Sequence, residues 1–283
     1  MDNLGVNIEV FIQAPGAHSV RVRYLLPHHE KSLHVDMIVD KAYITRPEAV
    51  YIAFPFALTP PSFHLDLNGV PLEPEAEQLP GSCRDWYGIQ RWAEVSDKET
   101  SIVLVPLDAP VVQVGGIHTG RWAEHLNAGE ATLVSWVAHN HWDTNFQAAQ
   151  NGELLFRYRL TSLPGYDPAA ASRFAAEQLI PPLIVRVPGA EPGASGQFLQ
   201  VEPEGAADVQ LKQAADGRGV IVRAFNFTGQ SQTLTLRFPA ALLEAWVCSP
   251  IEADGEKLTI ENETIALTVP ARSLACARVV FRL

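Results

Sequence analysis

Cysteine is scarce and oddly numbered: Cys83, Cys248 and Cys276 are the only three, and no two stand in a Cys-x-x-Cys pair. That spacing gives neither a zinc ribbon nor a disulfide framework, so a reducing, cytoplasmic setting is expected. Basic residues are also few. With 21 Lys and Arg against 32 Asp and Glu the formal net charge is −11, a field that repels phosphate backbones and anionic bilayers and speaks against nucleic acid or membrane partners. No run approaches the ~18 apolar residues that a spanning helix needs. Met1 to Glu9 lacks the basic-then-apolar pattern of a secretory leader. Nucleophile elbows of the Gly-x-Ser-x-Gly type and Walker or dinucleotide glycine patterns are missing. Nothing pairs two particular carboxylates across a glycosidic bond, so no acid, base or nucleophile is named.

What is present is an ordinary globular composition, 47% apolar and 19% charged over 283 residues, long enough for two domains that each bury a core. The dominant period is two. Val20, Val22 and Tyr24 alternate with polar residues, as do Leu33, Val35, Met37 and Val39. The pattern returns at Leu234, Leu236 and Phe238, at Ile265, Leu267 and Val269, and at Val279, Phe281 and Leu283. Such runs, separated by turns at Asp66 to Gly69 and at Asp216-Gly217, indicate half-buried antiparallel strands and an all-β fold of packed sandwiches. One helix interrupts them. Asp167 can cap it, Pro168 suits its first turn, Ala169 to Gln178 are good helix formers, and Pro181-Pro182 ends it. Residues 187–196, Val-Pro-Gly-Ala-Glu-Pro-Gly-Ala-Ser-Gly, read as a linker. It divides the chain into domains at 1–186 and 197–283. The sequons Asn226-Phe-Thr228 and Asn262-Glu-Thr264 matter only in a secretory compartment.

All nine histidines fall between His18 and His141, and five of six tryptophans between Trp86 and Trp142. The same region carries a series of motifs. They are Pro47-Glu-Ala-Val-Tyr-Ile-Ala-Phe-Pro-Phe56, Gln78-Leu-Pro-Gly-Ser-Cys-Arg-Asp-Trp-Tyr87 with Gln90-Arg-Trp92, Asp108-Ala-Pro110, and Asn140-His-Trp-Asp-Thr-Asn-Phe146 followed by Gln150. In order and spacing they resemble the middle β-domain of the family 38 glycoside hydrolases, the α-mannosidases. Arg223-Ala-Phe-Asn226 and the run Leu242 to Pro250 are similar, less distinctively, to that family's terminal sandwich.

The resemblance implies a large galactose-mutarotase-like supersandwich followed by a smaller antiparallel β-sandwich, both downstream of an α/β catalytic barrel that this sequence lacks. The family's zinc and aspartate nucleophile come mainly from that barrel. No catalytic residue and no cofactor are therefore carried over, and hydrolysis of α-mannosides is expected only of the complete enzyme. The expected partners are an α-mannoside and the barrel, in the same or a separate chain. The chain is expected to start inside the family's architecture. His141-Trp-Asp143 invites confusion with the family's His-x-Asp-Trp zinc motif, but the order differs.

Arg84, Trp86, Arg121, Trp142, Asp143 and Asn145 are the candidates for contact with substrate or with the barrel, because sugars are held by flat aromatic faces and bidentate polar groups. Trp86 and Trp92 fit equally well as core anchors, and Arg84-Asp85 as a simple ion pair. His139 and His141, alternate residues on a strand with Asp143 to continue the face, form a weak metal candidate. His28-His29 and His34 read as a solvated hairpin, and His118 and His125 receive no role. A stand-alone carbohydrate-binding module would use the same residues without a barrel. A mutarotase-like epimerase would use His139, His141 and Asp143, on fold analogy alone.

Overall fold

The computed structural model describes residues 4–118, 122–126, 128–141, 145, 147–186 and 195–282. Among them are twenty strands and one helix, which separate into two compact units, residues 1–167 with 174–180 and residues 168–173 with 181–283. Of the expected linker, residues 187–194 lie outside the described residues. The helix, α1, spans Pro168–Leu179 as its capping and breaker residues imply.

The first unit contains β1 (Gly5–Ile12), β2 (Ala17–Pro27), β3 (Leu33–Lys41), β4 (Ala49–Pro55), β5 (Ser62–Leu67), β6 (Val70–Leu72), β7 (Tyr87–Gly88), β8 (Ala93–Ser96), β9 (Ser101–Pro106), β10 (Val111–Val114), β11 (Thr132–His139) and β12 (Gly152–Leu163). They form an eight-stranded sheet, β1-β2-β3-β12-β9-β8-β5-β6, and a four-stranded sheet, β4-β11-β10-β7. All described pairings are antiparallel, which is why alternation shows so clearly in the sequence. Val22, Val35, Leu65, Leu104 and Tyr158 from the larger sheet pack with Ile52, Val112 and Leu133 from the smaller. The Tyr158 hydroxyl crosses between them to Ser135 at 3.0 Å. β5 and β6 join through Asn68-Gly69, both at positive φ (56° and 79°), the geometry that a two-residue type I′ hairpin requires.

The second unit holds β13 (Gln200–Glu202), β14 (Asp208–Gln213), β15 (Val220–Asn226), β16 (Gln232–Arg237), β17 (Leu242–Cys248), β18 (Asp254–Lys257), β19 (Thr264–Val269) and β20 (Ser273–Phe281). A three-stranded sheet, β13-β16-β19, faces a five-stranded one, β14-β15-β20-β17-β18. Val222, Ala224, Leu234, Leu236, Ile265, Leu267, Ala277 and Val279 fill the space between. Phe238, expected at the end of a strand, lies just past β16 and is buried. At the end of β15 the fully buried Asn226 donates through Nδ2 to the carbonyls of Gln230, Val269 and Pro270, and its Oδ1 accepts from the Thr228 amide and hydroxyl. The first sequon is thus a structural clamp.

The other face of the five-stranded sheet carries a polar network. Arg278, 2% exposed, is its hub. It donates to Asp254 at 2.7 Å, to Asp216 at 2.9 Å, and to the carbonyls of Arg218 and Glu252, both at 2.8 Å. Trp246, opposite Arg278 in register, lies under the guanidinium of Arg218.

Candidate functional site

The strongest concentration of aromatic and imidazole groups in the first unit lies on the outer face of its smaller sheet. Alternation along β4 turns Ile52 and Phe54 to the core and leaves Tyr51 outside, directly opposite Trp136 of β11. Beyond Trp136 the register shifts. Val137 is the extra residue of a β-bulge, so Ala138 pairs with Val50 and His139 with Ala49. A strict period of two would place His139 on the face opposite Trp136. The bulge puts it back on the same one.

The result is a contiguous cluster. Trp136 stacks on Tyr51 at 5.8 Å between centroids and meets Trp86 edge-on at 5.4 Å. Its ring lies 4.7 Å from His139 and 5.8 Å from His141, the latter nearly parallel at 9°. The two imidazoles are 4.8 Å apart. Burial, and then the neighbouring His141, lowers the pKa of His139, so its ring is neutral near pH 7 and offers a donor and an acceptor.

Trp136 is also the wall between two open cavities. One, about 370 Å³, is lined by Trp86, Val111, Trp136 and His139. The other, about 330 Å³, is lined by Glu48, Tyr51, His118, Trp136 and His141. Both fall in the range of small-ligand pockets and combine flat apolar walls with a few polar groups.

Asn140 holds this face in place. Its Oδ1 accepts from the Glu48 amide at 2.7 Å, and its Nδ2 donates to the carbonyls of Ile44, Arg46 and Ala148. Glu48 in turn pairs with the largely buried Lys41. His118, with no role from sequence, lines the second cavity. Its carbonyl and amide bond the side chain of buried Gln113, and its Nε2 lies 3.0 Å from the Val114 carbonyl.

The candidates from sequence divide sharply. Trp86, His139 and His141 come together at the cluster, and Asn145 is exposed. Arg121, Trp142 and Asp143 lie outside the described residues. Arg84, only 8% exposed, is committed to Glu75 at 2.5 Å and to the Ser82 carbonyl at 3.1 Å. Trp92 is a core residue with no exposed surface, and Tyr87 is nearly as buried. Asp108, another motif residue, binds the backbone and guanidinium of Arg157. Arg84, Tyr87, Trp92 and Asp108 thus serve the scaffold, whereas Glu48, Tyr51, Trp86, Asn140 and His141 of the same motifs lie at the cluster. Of the histidines expected in a solvated hairpin, His28 and His29 are exposed and stacked edge-on at a turn, whereas His34 lies within β3, half-buried, and burial lowers its pKa. Glu48 and Tyr51 belong to the Pro47–Phe56 motif but have no role assigned from sequence, and Trp136 lies in none of the motifs. The pairing of two aromatics across β4 and β11 is the signal that would have found them.

Glu75 organises the adjacent loop at a positive φ of 71°. It binds His125 Nδ1 at 2.7 Å, the Leu126 amide at 2.9 Å and Arg84. These contacts, His125 first, lower its pKa to about 2. Because the folded value lies below the ordinary 4.5, the stabilisation is complete above pH ~4.5 and is lost as pH falls toward 2. Melts of Glu75→Gln against the unsubstituted protein should therefore show a deficit that is constant from pH 7 to 5 and shrinks below. A deficit that stays level down to pH 3 contradicts this.

Among the described residues no group of three or more His, Cys, Asp and Glu is placed to hold a metal ion. No helix among them is long and apolar enough to cross a membrane.

Comparison with known proteins bears on the fold. Residues 209–272 match the model of the glycosyl hydrolases family 38 C-terminal beta sandwich domain. No curated protein matches the sequence. Among solved structures, a protein in the glycosyl hydrolase family 38 from Enterococcus faecalis superposes on 92% of this chain with a TM-score of 0.66 at 17% identity. An alpha-mannosidase from Enterococcus faecalis V583 superposes on 92% with a TM-score of 0.64 at 15% identity. Identities this low speak to fold alone. The chain spans under a third of either structure, 29% and 28%.

Proposed function

We propose that the chain is the non-catalytic C-terminal β-region of an α-mannosidase-like family 38 enzyme, bracing an α/β catalytic barrel and bordering its sugar cleft with the Trp136 face. The observation that carries the reading is the shared fold over 92% of the chain, seen in two family 38 structures. The family match over residues 209–272 supports it. In this reading hydrolysis, the zinc and the aspartate nucleophile belong to the barrel, supplied by the same or another chain. Trp86 and Tyr51, backed by the buried Trp136, offer the flat faces that pack on the C–H surface of a sugar, and His139 and His141 the groups that bond its hydroxyls. The three free cysteines fit a cytoplasmic enzyme.

The test is reconstitution. The chain, purified with the barrel encoded beside it, should hydrolyse an aryl α-mannoside, and the chain alone should not. Hydrolysis by the chain alone at enzymatic rates would refute the bracing role. Micromolar binding of mannosides by the chain alone would favour a carbohydrate-binding module instead. Trp86→Ala should raise the KM or Kd for the mannoside about tenfold, the loss of roughly one aromatic contact near 1.4 kcal/mol. An unchanged value would remove this face from the cleft.

A further inference from the structure

Cys248 and Cys276 are far apart in sequence yet directly opposite each other across β17 and β20. Residues paired in this way have Cα atoms about 4.5–5.5 Å apart, within the 4.4–6.8 Å that a disulfide spans, and their side chains share a face. Both thiols are free. They lie outside the main core, in a small cluster with Ala214, Ile221 and Leu274. Arg223 of β15 is the next residue in the same row, directly opposite Cys276.

Both cysteines are buried, Cys248 at 6% exposure and Cys276 at 2%. The turn after β17 closes through Ser249 and Ala253 at 2.9 Å. It is tied down by the Pro250 carbonyl to Arg223 at 3.1 Å and by Glu252 to the Ala215 amide at 2.7 Å. Its Ile251 is 88% exposed. The turn leads directly out of Cys248, the last residue of β17. Cys83, in the other unit, has no cysteine opposite it among the described residues.

We propose that Cys248 and Cys276 are a reversible dithiol site that a hydroperoxide oxidises to an intramolecular disulfide. The Cys276 thiolate, beside Arg223, attacks the peroxide oxygen. The O–O bond breaks, hydroxide leaves and a sulfenic acid forms. The Cys248 sulfur then attacks the sulfenic sulfur, the S–S bond forms and a second hydroxide leaves. With the two thiol protons, two thiols and one hydrogen peroxide give one disulfide and two waters. Burial raises both thiols above their ordinary value, so the reaction is slow at pH 7 and accelerates toward pH 9.

The experiment treats the whole unsubstituted chain with hydrogen peroxide and follows intact mass and a non-reducing peptide map. The expected result is a species lighter by about 2 Da, a cross-linked pair of peptides containing Cys248 and Cys276, and its loss with dithiothreitol. Cys276→Ser should form no such species, and Arg223→Met should form it several-fold more slowly at pH 7. Only oxygen adducts, or cross-links through Cys83 alone, would overturn the proposal. Because the decisive measurement is on the unsubstituted chain, a variant that fails to fold does not blunt it.

Discussion

Replacing Gly219 with alanine should lower the stability of the second unit by about 4 kcal/mol, the sum of a left-handed backbone cost and a clash that the sheet cannot relieve. Gly219 has a φ of +80° and immediately precedes β15. A Cβ there would lie 2.2 Å from the Val279 carbonyl oxygen and 3.0 Å from Val280 Cγ2. That carbonyl belongs to β20, the central strand of the five-stranded sheet, so it cannot withdraw without breaking the β15–β20 pairing. Gly217, two residues earlier, is the internal control: its φ is +74°, but nothing lies within 4 Å of an added Cβ. Gly217→Ala should therefore cost only the backbone share, about 1 kcal/mol. In calorimetry the melting of the second unit should fall by roughly 15 °C or more for Gly219→Ala and by about 5 °C for Gly217→Ala. Equal losses would show that the close approach to Val279 carries no energy.

Arg278→Met should cost about 3 kcal/mol, since the change removes a nearly dry guanidinium whose partners remain behind. Methionine matches much of the volume, so the loss isolates the polar contacts. Asp216 is half exposed and regains water easily, whereas Asp254 and the carbonyls of Arg218 and Glu252 sit closer in and recover less. Arg278→Lys should restore only part, because one ammonium cannot reach both carboxylates and both carbonyls. Urea unfolding of the three proteins gives the order arginine, lysine, methionine. A lysine variant as stable as the unsubstituted protein would assign the effect to charge and deny the fork geometry.

How much of this was legible in the chain differs between scaffold and site. Inward positions such as Val35, Val39, Ile265, Leu267 and Val269 announce themselves, because an antiparallel sheet with one wet face writes its burial as alternation. The helix did the same through Asp167, Pro168 and the proline pair after it. The outer face of the smaller sheet was harder to read, because one inserted residue, Val137, inverts the parity and brings His139 beside Trp136. A bulge leaves no mark in composition. Arg84 misleads for a related reason: its partner Glu75 comes from a loop held at positive φ, and nothing in the motif around Arg84 points to it. Sugar-like polarity and structural ion pairing use the same residue types, and only the partner distinguishes them.

Asn226 has a consequence for how the protein is made. An oligosaccharyltransferase reads Asn-Phe-Thr on an extended nascent chain, before β19 exists to claim the amide nitrogen. In a eukaryotic secretory host, glycan transfer and closure of the second sandwich would compete for the same Nδ2. A molecule that received the sugar could no longer bond Val269, Pro270 and Gln230 from a site with no exposed surface. Folded protein from such a host should carry an unmodified Asn226, while the exposed Asn262 at its turn would tolerate a glycan. Production in a bacterial cytosol avoids that competition entirely.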